Sequence, residues 1–233
     1  LAVDQCLTQL PELNAPVQPG AAPYEYKHST FFEEQLSAFE SWLEFRSTDL
    51  DKPPEQLPVV LQVLLSHVHR VRALVLLSRY LDLGPRAVNL ALSIGIFPYV
   101  LKLLQSPAQE LKPVLVFIWA RIMSVDAANV RQELIRDNSF AYFIHILIPN
   151  TPDEIGIGTI NMSEHRAMCA FIIALFCRGF KLGQQKCMSS DIINACLTNM
   201  IDPENPLLRQ WSCLCLSQLW DLNVDGKWHA VKG

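Results

Sequence analysis

Gly95-Ile96-Phe97-Pro98-Tyr99-Val100-Leu101-Lys102-Leu103-Leu104 is answered 43 residues later by Ser139-Phe140-Ala141-Tyr142-Phe143-Ile144-His145-Ile146-Leu147, with Phe97 falling on Phe140. The same template fits Ile192 to Met200 once an insertion between Pro149 and Met162 is allowed. Each copy is followed by a second apolar run, opening at Leu111-Lys112, His165-Arg166 and Leu208-Arg209. A period near 43 falls inside the window of roughly 40–47 residues used by armadillo and HEAT repeats. One helix pair cannot cover its own apolar face, so such units must stack to bury it. The expected fold is all-α, an armadillo/HEAT-type α-solenoid of two-helix units, with Pro149 to Met162 protruding as a loop and without a β-sheet.

Outward from these copies, apolar residues keep the three- and four-residue spacing of helices, and the alternating runs of hairpins are absent. Helices are expected over Leu57 to Ser66, His69 to Leu83, Pro85 to Ile94, Pro98 to Gln105, Ala108 to Val125 and Ala127 to Arg136. Further helices are expected over Ser139 to Leu147, Ser163 to Arg178, Leu182 to Met188, Asp191 to Ile201 and Pro206 to Asp221. Thr30 and Glu33 form a capping-box pattern that opens a helix from Ser29 to Arg46 on Phe32, Leu36, Phe39 and Leu43. Pro11 to Lys27 carries four prolines among small and polar residues, which reads as a linker, and Leu1 to Leu10 as the tail of an earlier helix. The expected organisation is therefore a connecting helix and Pro-rich linker over 1–28, then a solenoid over 29–233. The first residue is Leu and no signal-peptide pattern is present, so the sequence reads as a segment of a longer protein.

The 233 residues are 50% hydrophobic and only 18% charged, with a net charge of −4. That supports a sizeable core and supplies no basic field for a nucleic-acid backbone. The longest apolar stretches, Leu57 to Leu65, Val114 to Ala120 and Ala170 to Cys177, fall short of the roughly 20 residues that cross a bilayer, so no membrane insertion is expected. The seven cysteines, Cys6, Cys169, Cys177, Cys187, Cys196, Cys213 and Cys215, lie within apolar runs and read as reduced core thiols, which places the chain in the cytoplasm.

Few residues carry chemistry. His67 and His69, like Cys213 and Cys215, are two apart, which on a helix turns the side chains about 200° from each other instead of toward one metal. Gly156-Ile157-Gly158 lacks the third glycine and the preceding strand of a dinucleotide fingerprint. Asn161-Met162-Ser163 has the form of a glycosylation sequon without a secretory context. A Cys- or Ser-dependent hydrolase would need a base beside its nucleophile, and Cys169, Cys177, Cys213 and Cys215 sit at core-like spacing where burial blunts a thiol. Trp119, Trp211, Trp220 and Trp228 lack interleaved cations and read as core aromatics. No catalytic residue, metal site or cofactor is expected. Asp202-Pro203 at a turn and Arg209 in the next helix have the HEAT arrangement in which the arginine ties the turn to the helix below it. His69-Arg70-Val71-Arg72 opens an earlier helix in a similar way. The turns between first and second helices all fall on one edge of a solenoid, so Gln109, then Glu164, His165 and Arg166, then Asp202, Pro203, Glu204 and Asn205 are the candidate partner-binding ridge. A spacer without its own partner surface is the alternative.

Longer strings are more specific than any of these motifs. Pro53-Pro54-Glu55-Gln56-Leu57-Pro58-Val59-Val60-Leu61-Gln62-Val63-Leu64-Leu65-Ser66 resembles the start of the armadillo region of the raptor family, the scaffold subunits of TOR complex 1. Leu81 to Pro85, Val88 to Ser93, Gly95 to Ser106, Val116 to Ala120, Glu164-His165-Arg166 and Pro206 to Trp211 extend the likeness. Leu1 to Leu7 is similar to the segment joining that family's N-terminal domain to its solenoid. The resemblance implies docking on the HEAT repeats of the TOR kinase, proximity to the groove that grips substrates bearing a TOR-signalling motif, and a surface for Rag-type small GTPases facing the ridge turns. It also implies recruitment to the lysosome or vacuole through those partners. Pro11 to Lys27 and Pro149 to Met162 look longer than in animal members, which suggests a fungal or other distant homologue.

Overall fold

The computed structural model describes residues 2–15, 24–27, 29–45, 53–149, 162–188 and 190–232, and every regular element among them is helical. The expected loop between Pro149 and Met162, the sequon asparagine, the 156–158 glycine motif and the middle of the N-terminal linker lie outside these residues. Two compact units divide the chain, Leu1–Leu76 and Leu77–Gly233.

The first unit holds α1 (Ala2–Leu13), α2 (Phe31–Phe45), α3 (Leu57–Val63) and the start of α4 (Arg70–Leu81). α1 continues past Leu10 with Pro11 inside its last turn. Proline keeps a helical φ, but it lacks the N–H that would bond the Leu7 carbonyl, so the last turn of α1 is short of one hydrogen bond. Gln9 reaches across to Tyr24 and to the Lys27 backbone, which fastens residues 24–27 to α1. The α2 start differs from the expected capping box: the Thr30 hydroxyl donates to Glu34 at 2.8 Å, and the Phe31 N–H goes to Ser29. Leu36, Phe39 and Leu43 of α2 are buried, and α2 packs on α3. Arg70 donates to the carbonyls of Leu64 and Leu65, satisfying acceptors that the end of α3 leaves open.

The second unit shows what the period is made of. α5 (Pro85–Ile94), α6 (Phe97–Leu104) and α7 (Lys112–Arg136) come first, with a single 3-10 turn, Gln109–Leu111, leading into α7. α8 (Phe140–Leu147), α9 (Met162–Cys177), α10 (Lys181–Cys187), α11 (Ser190–Asn199), α12 (Pro206–Trp220) and α13 (Val224–Lys232) follow. Gly95, at φ 92°, ends α5 in a left-handed cap, with the Ile96 N–H on the Ala91 carbonyl, and α6 leaves at 90° to α5. Asp126 breaks α7 with φ −134° and ψ 46°, so its last ten residues form a separate short helix, at the place where the apolar pattern also breaks. The units are consequently triplets of two short helices and one long helix, not the expected pairs. They run α5, α6 and the first part of α7; then the end of α7, α8 and α9; then α10, α11 and α12. The sequence comparison sees only the last two members of each triplet.

The long helices stack, with α9 between α7 and α12. α9 is accordingly buried nearly all round, through Ala167, Cys169, Ala170, Ile172, Ile173, Ala174, Phe176 and Cys177. Matching aromatic pairs join short to long helices: Phe97 meets Trp119 at 5.5 Å, and Phe140, its repeat partner, stacks on Phe176 at 5.3 Å. Trp119 also meets Phe143 at 5.9 Å, so one fully buried ring links consecutive units. Residues Gln109–Arg136 are long and apolar enough to span a bilayer, which the short apolar stretch Val114 to Ala120 does not reveal. They are bent at Asp126 and bury Leu115, Val116, Ile118, Trp119, Ile122 and Met123 inside the protein, as a core helix does. Buried amides complete the joints: Asn199 donates to the Leu147 carbonyl at the end of α8, and Gln184 to the carbonyls of Gln218 and Asp221 at the end of α12. α13 is unanticipated; Asn223 starts it by accepting from the Gly226 N–H.

Candidate partner surface

The starts of α7, α9 and α12 carry the candidate ridge, and one hydrogen bond and one charge influence relate them. Ser163 at the start of α9 donates to the Asp202 carboxylate at 3.1 Å, and Lys112 at the start of α7 acts electrostatically on His165. Within the ridge the residues divide sharply. Glu164, Pro203 and Glu204 are exposed, whereas Gln109, Arg166, Asp202 and Asn205 are half-buried.

His165 does not belong to the outward surface. It is 3% exposed, with Nδ1 buried and lacking a hydrogen-bond partner. Burial first, then the charges of Lys112 and Arg166, pull its pKa down to about 4, so the ring is a neutral core group at pH 7. The spacing places His165 between Arg166 and Glu164 on a turn, but the helix begins earlier, at Met162, and rotates it inward. Asp202 and Asn205 are largely committed to the turn. The Asp202 carboxylate accepts the N–H groups of Asn205 at 2.7 Å and Glu204 at 3.0 Å, and Asn205 caps α12 by accepting the Leu208 N–H. The Asn205 N–H is the largest influence holding the Asp202 pKa below the ordinary carboxylate value. Arg209 ties this turn as an arginine should, but its Nη1 donates to the Asp202 main-chain carbonyl at 2.7 Å instead of pairing with the carboxylate.

Beside the ridge lies an apolar groove of 260 Å³ between α9 and α12, lined by Glu164, Ala167, Met168, Phe171, Leu207 and Trp211. Phe171 and Trp211 meet edge-on at 4.6 Å. These residues fall at three- and four-residue spacing, which reads equally as core or as a groove floor; the exposure of Leu207 and the half-exposure of Met168, Phe171 and Trp211 separate the two. Trp228 likewise departs from the core reading, at 61% exposed.

Two of the buried thiols, Cys169 and Cys215, are poor nucleophiles. Cys169 has its pKa raised by burial, and Cys215 by a hydrogen bond with Cys196 and then by burial. Cys213 is exposed, contrary to the core reading. Among the described residues no group of three or more His, Cys, Asp or Glu side chains is placed to hold a metal ion.

No family model matches the chain. The Schizosaccharomyces pombe protein named target of rapamycin complex 1 subunit mip1 is 58% identical over 100% of this chain, which spans 17% of that protein. The protein raptor homolog of Dictyostelium discoideum is 48% identical over 100% of this chain and 14% of its own length. The crystal structure of Chaetomium thermophilum Raptor superposes on 99% of this chain and 20% of that one, with a TM-score of 0.84 and 56% identity. A designed armadillo repeat protein matches in fold alone, with a TM-score of 0.60 at 13% identity over 94% of this chain and 84% of its own. With 48% and 58% identity to two such relatives along its whole length, the chain belongs to the raptor family and matches a stretch making up 14% to 20% of the members compared.

Proposed function

We propose that this chain is a non-catalytic scaffold segment of TOR complex 1. It docks on the HEAT repeats of the TOR kinase, offers its ridge to Rag-type small GTPases and helps present TOR-signalling-motif substrates. It acts in the cytoplasm and reaches the lysosome or vacuole surface through its partners. The observation carrying this reading is the unbroken 58% identity with a protein named as a TOR complex 1 subunit. Stacked helices with buried thiols of raised pKa support a binding role over a hydrolytic one. The opposing view, a spacer without its own partner surface, draws support from Asp202, Asn205 and His165, which the fold uses internally.

Affinity purification of the full-length protein separates the two. The wild type should retain the TOR kinase and a Rag-type GTPase, while Arg166→Asp with Glu204→Arg should weaken GTPase retention at least about tenfold, some 1.4 kcal/mol, and leave the kinase in place. GTPase retention within about twofold of wild type would favour the spacer.

A further inference from the structure

At the opposite ends of the long helices lies a second polar surface of different character. Arg131, on the last part of α7, places its guanidinium over the Phe180 ring, 5.7 Å from the centroid. Its Nε is buried and makes no hydrogen bond. Burial first, and then the neighbouring charge of Arg178, lower its pKa. Among the described residues no carboxylate pairs with Arg131 or Arg178. From Arg178 to Ser190 the chain carries Arg178, Lys181 and Lys186 and no acid, in a protein of net charge −4.

The ring beneath the guanidinium is held in place. Gly179, at φ 61°, turns the chain out of α9 through the left-handed region, and Phe180 packs edge-on against Phe176 at 6.0 Å. A side chain at Gly183 would place its Cβ 2.7 Å from the Phe180 ring and 3.0 Å from the Phe176 carbonyl, so glycine there lets the ring lie against α10.

We propose that Arg131, over the Phe180 ring, and Arg178, two residues before that ring at the end of α9, form a binding site for a phosphomonoester carried by a partner protein. Two neighbouring guanidinium groups repel each other until an anion lies between them, and their forked donors match tetrahedral phosphate oxygens. A buried Nε–H without an acceptor is an unmade hydrogen bond that a phosphate oxygen can complete. A phosphorylated side chain supplies the required double charge on a compact group. A membrane is the weaker match, because lipid-binding patches gather about four to eight cations on one surface, and the acid-free stretch offers three beside Arg131.

Modification of arginines by phenylglyoxal, located by mass spectrometry on the full-length protein, tests this with inorganic phosphate as the probe and sodium chloride at equal ionic strength as the control. At a phosphate concentration about twice the dissociation constant, modification of Arg131 and Arg178 should slow about threefold. Arg136, exposed and paired with Glu133, should be unaffected. In Arg178→Gln the protection of Arg131 should disappear. Equal protection of all arginines, or protection of Arg131 that survives Arg178→Gln, overturns the site. Vesicles of phosphatidylcholine with phosphatidylinositol 4-phosphate form the second arm, in which no co-sedimentation is expected. Sedimentation that Arg178→Gln abolishes would overturn the protein-borne assignment and give the site to lipid.

Discussion

The two ends of α9 handle charge in opposite ways. At its start, Asp202 meets Ser163 and two backbone N–H groups, Arg209 meets the Asp202 carbonyl, Asn205 caps α12 and His165 is buried and neutral. At its end, Arg131 sits over Phe180 within reach of the Arg178 charge, and among the described residues no acid pairs with either. Polar residues at a turn are thus no guide to binding by themselves. Hydrogen-bonding capacity spent inside the fold holds the repeats in register, and capacity left over is available to a partner.

The core between the two ends sets the scale of what each can cost. Trp119 is fully buried and touches Phe97 and Phe143 on two different units, so Trp119→Ala should lower unfolding stability by about 3–5 kcal/mol through lost transfer energy and the cavity left behind. Urea titration followed by circular dichroism measures it. A loss under about 1 kcal/mol would mean that the aromatic joint does not couple the units and that the two ends cannot be compared as parts of one stack.

The start of α9 should make stability acid-sensitive. His165 protonates near its ordinary value of 6.5 when unfolded but only at about 4 when folded. Between those values the unfolded chain binds more protons, so the stabilisation is complete above pH 6.5, falls away as the pH drops toward 4 and changes no further below it. The loss should be about 3 kcal/mol. Asp202, with its folded pKa depressed, adds a loss that begins only below its ordinary 3.8. His165→Gln should flatten the upper window and leave the lower one. Denaturation midpoints between pH 3.5 and 7.5 would show it, and an unchanged slope in His165→Gln would place the acid-sensitive group elsewhere.

The helices and their period were legible because burial imposes a strong spacing: Phe97 and Phe140 announced two copies, and the pattern break at Asp126 marked a real backbone break. The triplet was hidden because one short helix of each unit is continuous with, or close behind, the preceding long helix. α13 escaped notice because Val224, Trp228 and Val231 are exposed, so no core demanded them. The ridge was legible as polar turns but not as a division of labour, since sequence spacing does not tell an Asp202 that accepts backbone N–H groups from one that faces solvent. The pair at the other end was invisible for a different reason: Arg131 lies near the end of α7 and Arg178 in the turn after α9, and only folding brings their charges together.

That pairing gives the smallest and most discriminating prediction. If Arg178 were a structural residue like Arg209, replacing it would expose an unpaired acceptor and destabilise the fold. The Arg178 side chain is instead exposed, makes no hydrogen bond or ion pair among the described residues and raises the cost of charging its neighbour. Arg178→Gln should therefore leave stability within about 0.5 kcal/mol of wild type, on the stabilising side, as expected for a surface change that relieves repulsion. The gain should shrink as salt is raised from about 0.05 to 0.5 M, because exposed charges are screened within a few ångströms at the higher value. Arg209→Ala, measured alongside, should destabilise at every salt concentration, since its donor to the Asp202 carbonyl is lost. Destabilisation by both substitutions to a similar extent would erase the difference between the two ends of α9 and make Arg178 one more tie of the fold.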